Sequence, residues 1–373
     1  MKKIYILSLM ISVFFASCSK DNSAVDKTPE VAQNKIYASI GDLETRVQLN
    51  TELQTVWNEG DEITVMGPGI YSQWSFDGKT GDRTGSFSNV ESYDPNVEKF
   101  TKYLAVYPAH GNLDYDATTA IKSEVIVNLP AEQKYVKGSY SPGANVMLGT
   151  SSDGNAYMFN NISSYLRLSL VGQKVVKKIQ LLGNSKEFLA GRLFINSDNN
   201  SANLHADDAS NSKTITLDCG EGVQLSDTPE DFYIVLPPVN LAKGFSIVVE
   251  FTDGTLFSKY RANQIAFYKN TIHPMDVLNV DPSDEDRYIY IYHSGDRVAF
   301  PRVLFAEGVP TAGSVNWDDG KAEMLPTDLE EELIDHVYTD GKPSHTISVQ
   351  ISDANIFTLG HCTGVSRVDF SNF

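Results

Sequence analysis

The chain has 373 residues, of which 48 are acidic and 30 basic, for a formal net charge of -18. An acidic chain without a basic patch argues against nucleic acid as a partner. With three cysteines, disulfides cannot be the main source of stability, and we expect Cys219 and Cys362 to be unpaired, mostly buried thiols. The length is enough for two or three domains that each bury a core.

The N-terminus has the features of a secretory signal: a basic start at residues 1–3, an apolar run over residues 4–15 and small residues before Cys18. The run is too short for a membrane-spanning helix. The cysteine at this place resembles the bacterial lipobox, which implies that Cys18 is diacylated and holds the mature protein in the outer membrane. The alternative is plain secretory cleavage with an incidental cysteine. We therefore predict a signal peptide at residues 1–17 and a flexible, polar tether at residues 18–34.

From residue 35 onward the hydrophobic pattern alternates with a period of two, which is typical of half-buried strands. Ile36, Ala38 and Ile40 face one way, and the same alternation recurs at residues 125–129 and 166–170. Turn dipeptides such as Pro68-Gly69 and Asp253-Gly254 separate the strands. Further strands are expected at residues 175–182, 232–236, 245–251, 288–292 and 347–351. Only residues 329–336 suggest a short helix, so the pattern predicts an all-β protein of sandwiches in series.

Two breaks in the pattern suggest domain boundaries. Residues 160–161 precede a strong strand, and the charged, proline-containing segment 281–286 lies between two strand runs. We therefore predict a first sandwich at residues 35–162, a second at 163–280 and a smaller third module at 281–373.

The region from residue 35 to residue 280 resembles the fimbrillin family, the lipoprotein subunits and adhesin-like surface proteins of Bacteroidales type V pili. The residues that carry the resemblance are Thr45-Arg46 and the segments 57–63, 103–109, 129–133, 146–148, 159–161, 189–191, 235–238, 244–245 and 270–273. The resemblance implies two transthyretin-like β-sandwiches in tandem. Most of these residues have structural explanations: Trp57, for example, is expected to be a core aromatic with its indole N–H hydrogen-bonded.

Arg46 is the exception, because the resemblance implies a role for it. In pilus-forming members of the family a protease cuts after an arginine beyond the first strand, and a strand from the next subunit fills the open groove. Such a groove exposes backbone donors and acceptors together with apolar pockets, which an extended segment satisfies. Residues 35–46 are therefore a candidate removable strand. An uncut Arg46, as in anchor, tip or stand-alone proteins, is the alternative.

The last ninety residues resemble a PKD-type repeat, an immunoglobulin-like sandwich. The matching segments are 315–320, 336–338 and 345–351. Asp318 stands where the pattern more often has glycine, which affects the expected hairpin geometry. Residues 365–371 resemble one leucine-rich-repeat turn, but a single repeat cannot bury its own face, so we expect a final strand.

Motifs for chemistry are missing from the sequence. The segment ending in Gly78-Lys79-Thr80 has Gln73 where a phosphate loop needs glycine. No His-x-x-x-His pair and no Gly-x-Ser-x-Gly elbow occurs. We predict no catalytic residues, no metal site and no cofactor, and therefore a protein that is not an enzyme.

The leading functional hypothesis is a lipid-anchored surface protein of the outer membrane that acts in adhesion, as an accessory or tip pilus component or as a stand-alone adhesin. Its expected partners are other pilus subunits, through strand exchange, and a host or bacterial surface protein or glycan. The alternative is a surface glycan-binding lipoprotein of a nutrient-uptake system. For that function Trp74 and Tyr71, and the row Tyr288, Tyr290 and Tyr292, are the candidate stacking aromatics.

Overall fold

The computed structural model describes residues 35–41, 44–45, 55–93, 100–109, 124–198, 201–204, 208–261, 263–281, 288–299, 302–304, 312–319, 321–324, 335–352, 356–358 and 363–372. All regular structure within these residues is β-strand, so the prediction of an all-β protein is confirmed. No helix among them is long and apolar enough to span a membrane. Most of the helix predicted at residues 329–336 lies outside the described residues, and His336 belongs to a strand.

The N-terminal part forms a closed barrel. The strands up to residue 161, most of which belong to the barrel, are β1 (Lys35–Ile40), β2 (Glu44–Thr45), β3 (Glu62–Gly67), β4 (Ile70–Phe76), β5 (Thr84–Ser92), β6 (Tyr103–Tyr107), β7 (Glu124–Leu129), β8 (Glu132–Lys134), β9 (Met147–Ser151) and β10 (Ala156–Asn161). The barrel order is β1-β10-β9-β6-β3-β4-β5, and β1 also pairs with β5. Ile36, Ala38 and Ile40 all face the interior, as their alternation predicts.

The barrel interior is organised around Trp57, which has no solvent-exposed surface. Its ring meets Phe87, Phe159 and Tyr107 edge-on, with centroids 5.1, 5.2 and 5.5 Å away. Edge-to-face contacts of this kind stabilise by about 0.5–1.5 kcal/mol each beyond burial. The prediction of a core aromatic is confirmed. The expected hydrogen bond of the indole is not found, because the buried Trp57 Nε1 has no acceptor among the described residues.

The second part is a sandwich of two larger sheets. Its strands are β11 (Ser164–Val171), β12 (Val175–Gly183), β13 (Gly191–Asn196), β14 (Ser201–Leu204), β15 (Thr214–Gln224), β16 (Glu230–Leu236), β17 (Val239–Leu241), β18 (Phe245–Phe251), β19 (Leu256–Arg261), β20 (Ile265–Phe267), β21 (Thr271–Pro274) and β22 (Leu278–Asn279). One sheet runs β16-β11-β21-β2 and the other β19-β18-β12-β15-β8. The inward faces of β11, β12 and β18 belong to one buried apolar cluster.

Three strands cross the predicted boundary after residue 162. β2 pairs with β21, β7 with β13, and β8 with β15, so parts of the predicted first sandwich complete the sheets of the second. Gln133 of β8 is buried and binds the backbone of Val235 in β16, its Nε2 donating to the carbonyl (2.6 Å) and its Oε1 accepting from the amide (2.9 Å). A second apolar cluster includes Leu104, Val127 and Leu193, so the two halves share a core.

The C-terminal module is a further sheet with two small strand pairs. Its strands are β23 (Tyr288–Ser294), β24 (Arg297–Ala299), β25 (Arg302–Leu304), β26 (Ala312–Asn316), β27 (Ala322–Met324), β28 (Asp335–Val337), β29 (Ser344–Ser352), β30 (Ile356–Thr358) and β31 (Val365–Asn372). The sheet order is β27-β26-β29-β23-β31. In β23 Ile289 and Ile291 are buried, whereas Tyr288, Tyr290 and Tyr292 lie on the other, half-exposed face.

Candidate functional site

β1, the candidate removable strand, is held along both of its edges. It pairs antiparallel with β5, where Ile36 lies opposite Phe87, and parallel with β10, where Ile40 lies opposite Phe159. All other pairings among the described barrel strands are antiparallel. β1 is therefore inserted between two strands that would otherwise be the edges of an open sheet.

The predicted maturation residue, Arg46, lies outside the described residues. Glu44 and Thr45, directly before it, form β2 and pair parallel with β21 of the second sandwich. The segment 35–46 thus contributes one strand to the barrel and a short one to the neighbouring sheet. Cys18, the predicted lipidation site, also lies outside the described residues.

Trp74 and Tyr71 do not form a ligand platform. Trp74 is only 2% exposed, and its indole N–H donates to Ser72 Oγ at 2.7 Å, so the prediction of a stacking role for this ring is wrong. Tyr71 is half-buried on the opposite face of β4, with its ring 4.8 Å from that of Tyr93. The reason is the strand's period of two: positions 71 and 74 have opposite parity, and Phe76 shares the inward face with Trp74.

A buried amide cluster joins the barrel to the second sandwich. Asn161 Nδ2 donates to Asn270 Oδ1 (2.9 Å), and Asn161 Oδ1 accepts from Asn145 Nδ2 (2.9 Å). The Tyr165 hydroxyl donates to Asn145 Oδ1, and a cavity of about 170 Å³ lies beside this group. Burial raises the pKa of Tyr140, which lines the same cavity, to about 12. These polar groups bind one another, which indicates a role in fixing the junction.

The aromatic motif of the C-terminal module forms its core. Trp317 stacks on His336 (centroids 4.4 Å apart), and Tyr338 stacks on His345 (3.5 Å). His336 Nε2 lies 2.9 Å from Asp319 Oδ2. Trp317, His336, Tyr338 and His345 are all buried, so these motif residues act in packing and present no open ligand surface.

Asp318 occupies the position where the predicted PKD-type resemblance favours glycine. Its φ is 64°, in the left-handed region that most side chains avoid. Asp tolerates this region better than most residues do, and here its Oδ2 accepts a hydrogen bond from the Thr346 amide at 3.0 Å. The hairpin therefore keeps the glycine-like geometry with an aspartate.

Cys219 is a free, buried thiol, as predicted, and burial raises its pKa to about 12. Cys362 lies outside the described residues. Within the described part of the chain no group of three His, Cys, Asp or Glu side chains is placed to hold a metal ion.

A cleft of about 290 Å³ separates β19 from the outer face of the C-terminal sheet. Tyr288 and Tyr290, two of the three tyrosines singled out in the sequence, line one wall, together with Ser314, Asn316, Ser348 and Gln350 of β26 and β29. The four polar residues were missed at the sequence level because they lie on two strands, β26 and β29, that are far apart in the sequence and pair only in the folded sheet. In the sequence, the only feature that could have indicated them is the row of polar side chains on one face of each alternating strand.

No protein-family model matches this chain, and no curated protein matches it. Among solved structures, it is similar to a candidate cell adhesion protein of Bacteroides ovatus, with 15% identity and a TM-score of 0.42 over 66% of this chain and 91% of that one. A candidate cell adhesion protein of Bacteroides uniformis shares 12% identity, with a TM-score of 0.39 over 67% and 94%. The tip fimbrial protein Mfa3 of Porphyromonas gingivalis, C-terminally truncated, shares 12% identity, with a TM-score of 0.31 over 65% and 95%. The function of this chain has to be argued from its own residues.

Proposed function

We propose that this chain is a cell-surface protein that acts in adhesion, as an accessory or tip component of a pilus or as a stand-alone adhesin. The observation that carries the proposal is the position of β1. This strand comes first in the described chain, yet it lies between β5 and β10, with Ile36, Ala38 and Ile40 at most 5% exposed. Its removal would leave two unpaired edges and a row of apolar pockets, the arrangement that favours strand addition.

The two forms of the protein have different consequences. If the chain is cut after Arg46, the open groove accepts a strand from another subunit. If the chain is uncut, β1 satisfies its own barrel, and the molecule serves as a terminal or stand-alone unit. The C-terminal module favours the second form, because additional mass after the tandem complicates repetitive stacking of subunits.

The proposal includes an outer-membrane anchor at Cys18. Several acyl chains, at about 0.8 kcal/mol per buried methylene, make a durable anchor where a single chain does not. The polar segment 18–34 would act as a tether between the lipid and the barrel. Labelling of cells with radioactive palmitate tests the anchor, and a protein released into the medium without acyl chains contradicts it.

Mass spectrometry of the mature protein from the cell surface tests the maturation step. A start at Cys18 supports the uncut form, and a start at residue 47 supports strand exchange. Adhesion itself is tested by deleting the gene and measuring attachment and biofilm formation, with the wild-type gene restored as the control. We expect attachment to fall, and unchanged attachment on every surface tested would count against the proposal.

The second candidate function is a surface glycan-binding protein of a nutrient-uptake system. Trp74 no longer supports it, because its ring is buried. The observation that favours it is the pair Tyr288 and Tyr290, which lines an open cleft together with hydroxyl and amide side chains.

A further inference from the structure

We propose that the cleft between β19 and the C-terminal sheet is a binding site for a short neutral saccharide. The inference rests on the proposed function in one respect, because the protein must be at the cell surface to meet glycans. It adds the class of ligand that the surface protein would bind. It is independent of the maturation of Arg46, because the cleft lies between the second sandwich and the C-terminal module.

The strand register builds one wall of the cleft. Tyr288 lies opposite Gln350, which lies opposite Ser314 on its other side, and the next row runs Tyr290, Ser348 and Asn316. Residues directly opposite one another in antiparallel strands share a face of the sheet. Two rings thus stand beside two rows of hydroxyl and amide groups.

Hydrogen-bonding capacity is left open on this wall. The Gln350 Nε2 and the hydroxyls of Ser314 and Ser348 make no hydrogen bond within the described part of the chain, although Ser314 is only 4% exposed. Gln350 Oε1 accepts from Ser258 of β19 at 3.4 Å, and Asn316 Nδ2 donates to the Gly254 carbonyl at 3.3 Å, so hydrogen bonds join the two walls at two points. Half-buried polar groups need partners, and the hydroxyls of a sugar both donate and accept hydrogen bonds.

The cleft also has apolar surface, which suits the C–H faces of a sugar ring. The Tyr288 and Tyr290 rings lie side by side, with centroids 6.1 Å apart and planes at 26°. Leu256, Phe257 and Val280 line the cleft from the side of the second sandwich. The C–H groups of a pyranose face carry slight positive charge and pack on the negative face of an aromatic ring. Aromatic lining with a few placed polar groups is the usual build of a small-molecule site.

The charge of the cleft favours a neutral ligand. Lys174 is the charged side chain that lines it, and its ammonium is already engaged. Its Nζ donates to Thr255 Oγ1 (2.7 Å), lies 3.7 Å from Asp253 Oδ2 and sits 4.9 Å from the centre of the Phe251 ring. Among the described residues that line the cleft, an anionic sugar would find no unpaired cation, and the acidic chain would repel it.

The volume limits the length of the ligand. The cleft has a volume of about 290 Å³. This is near the lower bound, about 300 Å³, of pockets that take small molecules. The cleft therefore fits one or two sugar rings, with longer chains extending into solvent.

The test is direct binding by the chain from Ser19 to Phe373. Calorimetry or ligand-observed NMR with cellobiose, maltose, xylobiose, mannobiose and lactose should detect at least one ligand at concentrations up to 10 mM. We expect Tyr290→Ala to weaken that binding at least tenfold, because the stacking surface is lost. Tyr290→Phe should stay within about threefold of wild type, and Gln350→Ala should weaken binding severalfold.

Tyr292→Ala is the matched control, because Tyr292 lies on the same strand and the same face but outside the cleft lining. Its binding should equal that of the wild type, and the thermal midpoint of each variant shows whether the fold is kept. The proposal is overturned if no neutral disaccharide binds, if binding survives Tyr290→Ala, or if only acidic saccharides bind. Binding without an attachment defect in cells would support the cleft and contradict adhesion, so the two proposals can fail separately.

Discussion

Replacing Ile36 with alanine measures how strongly the barrel holds β1. Ile36 has no exposed surface and belongs to the same buried cluster as Trp57 and Phe87. Its neighbour Tyr37 is 60% exposed on the opposite face of the strand, so Tyr37→Ala is a matched control at nearly the same place. If β1 is an integral part of the barrel, the two substitutions should have very different costs.

The expected cost follows from the atoms removed. Ile36→Ala deletes three buried carbons, at about 0.8 kcal/mol each, or about 2.4 kcal/mol before any cavity is counted. The strand is fixed on both sides by β5 and β10, which limits relaxation around the cavity, so the total should reach about 3–4 kcal/mol. Tyr37→Ala should cost less than about 1 kcal/mol.

Denaturant unfolding followed by tryptophan fluorescence checks the prediction, because Trp57 and Trp74 are both buried inside the barrel. The free energy of unfolding of the barrel should fall for Ile36→Ala and stay near the wild-type value for Tyr37→Ala. Equal losses for the two variants, or no loss for either, would refute the reasoning. The proposal that a removable strand fills apolar pockets would then lose its energetic basis.

Three further predictions concern single residues. Asp318→Asn should keep wild-type stability, whereas Asp318→Val should lose about 2–3 kcal/mol of unfolding free energy in thermal or chemical unfolding. Valine is strained at a φ of 64° and cannot accept the hydrogen bond from the Thr346 amide. Equal stability of the two variants would contradict this reasoning. Burial alone would raise the pKa of Asp319, but hydrogen bonds from His336 and from the Lys321 backbone, together with the charges of these two residues, hold the pKa below its usual 3.8. The ionised carboxylate therefore stabilises the fold, and this contribution is lost as the carboxylate is protonated. The difference in stability between wild type and Asp319→Asn should narrow as the pH falls below about 4. A gap that does not change with pH would contradict that linkage. Cys219 should resist thiol reagents at pH 8 in the native protein and react on the order of a thousandfold faster in denaturant, and rapid native labelling would contradict its burial.

Local sequence patterns determined the fold class and the faces of the strands. The alternation at Ile36, Ala38 and Ile40 predicted their burial, and β18 has the bounds expected from the sequence. The same rule would have separated Tyr71 from Trp74, because Ser72, Trp74 and Phe76 share one parity. Such predictions succeed because the two faces of a strand are specified by neighbouring residues alone.

Only the tertiary structure decided which strands meet. β7 and β8 leave the barrel part of the chain to complete the second sandwich, β1 closes the barrel beside β10, and strands far apart in sequence assemble the cleft around Tyr290. Pairing of this kind depends on the total burial and hydrogen bonding gained over long loops, which no local window of sequence contains. The local pattern of residues determined that the chain forms sheets, and the packing of the whole chain determined which strands are neighbours.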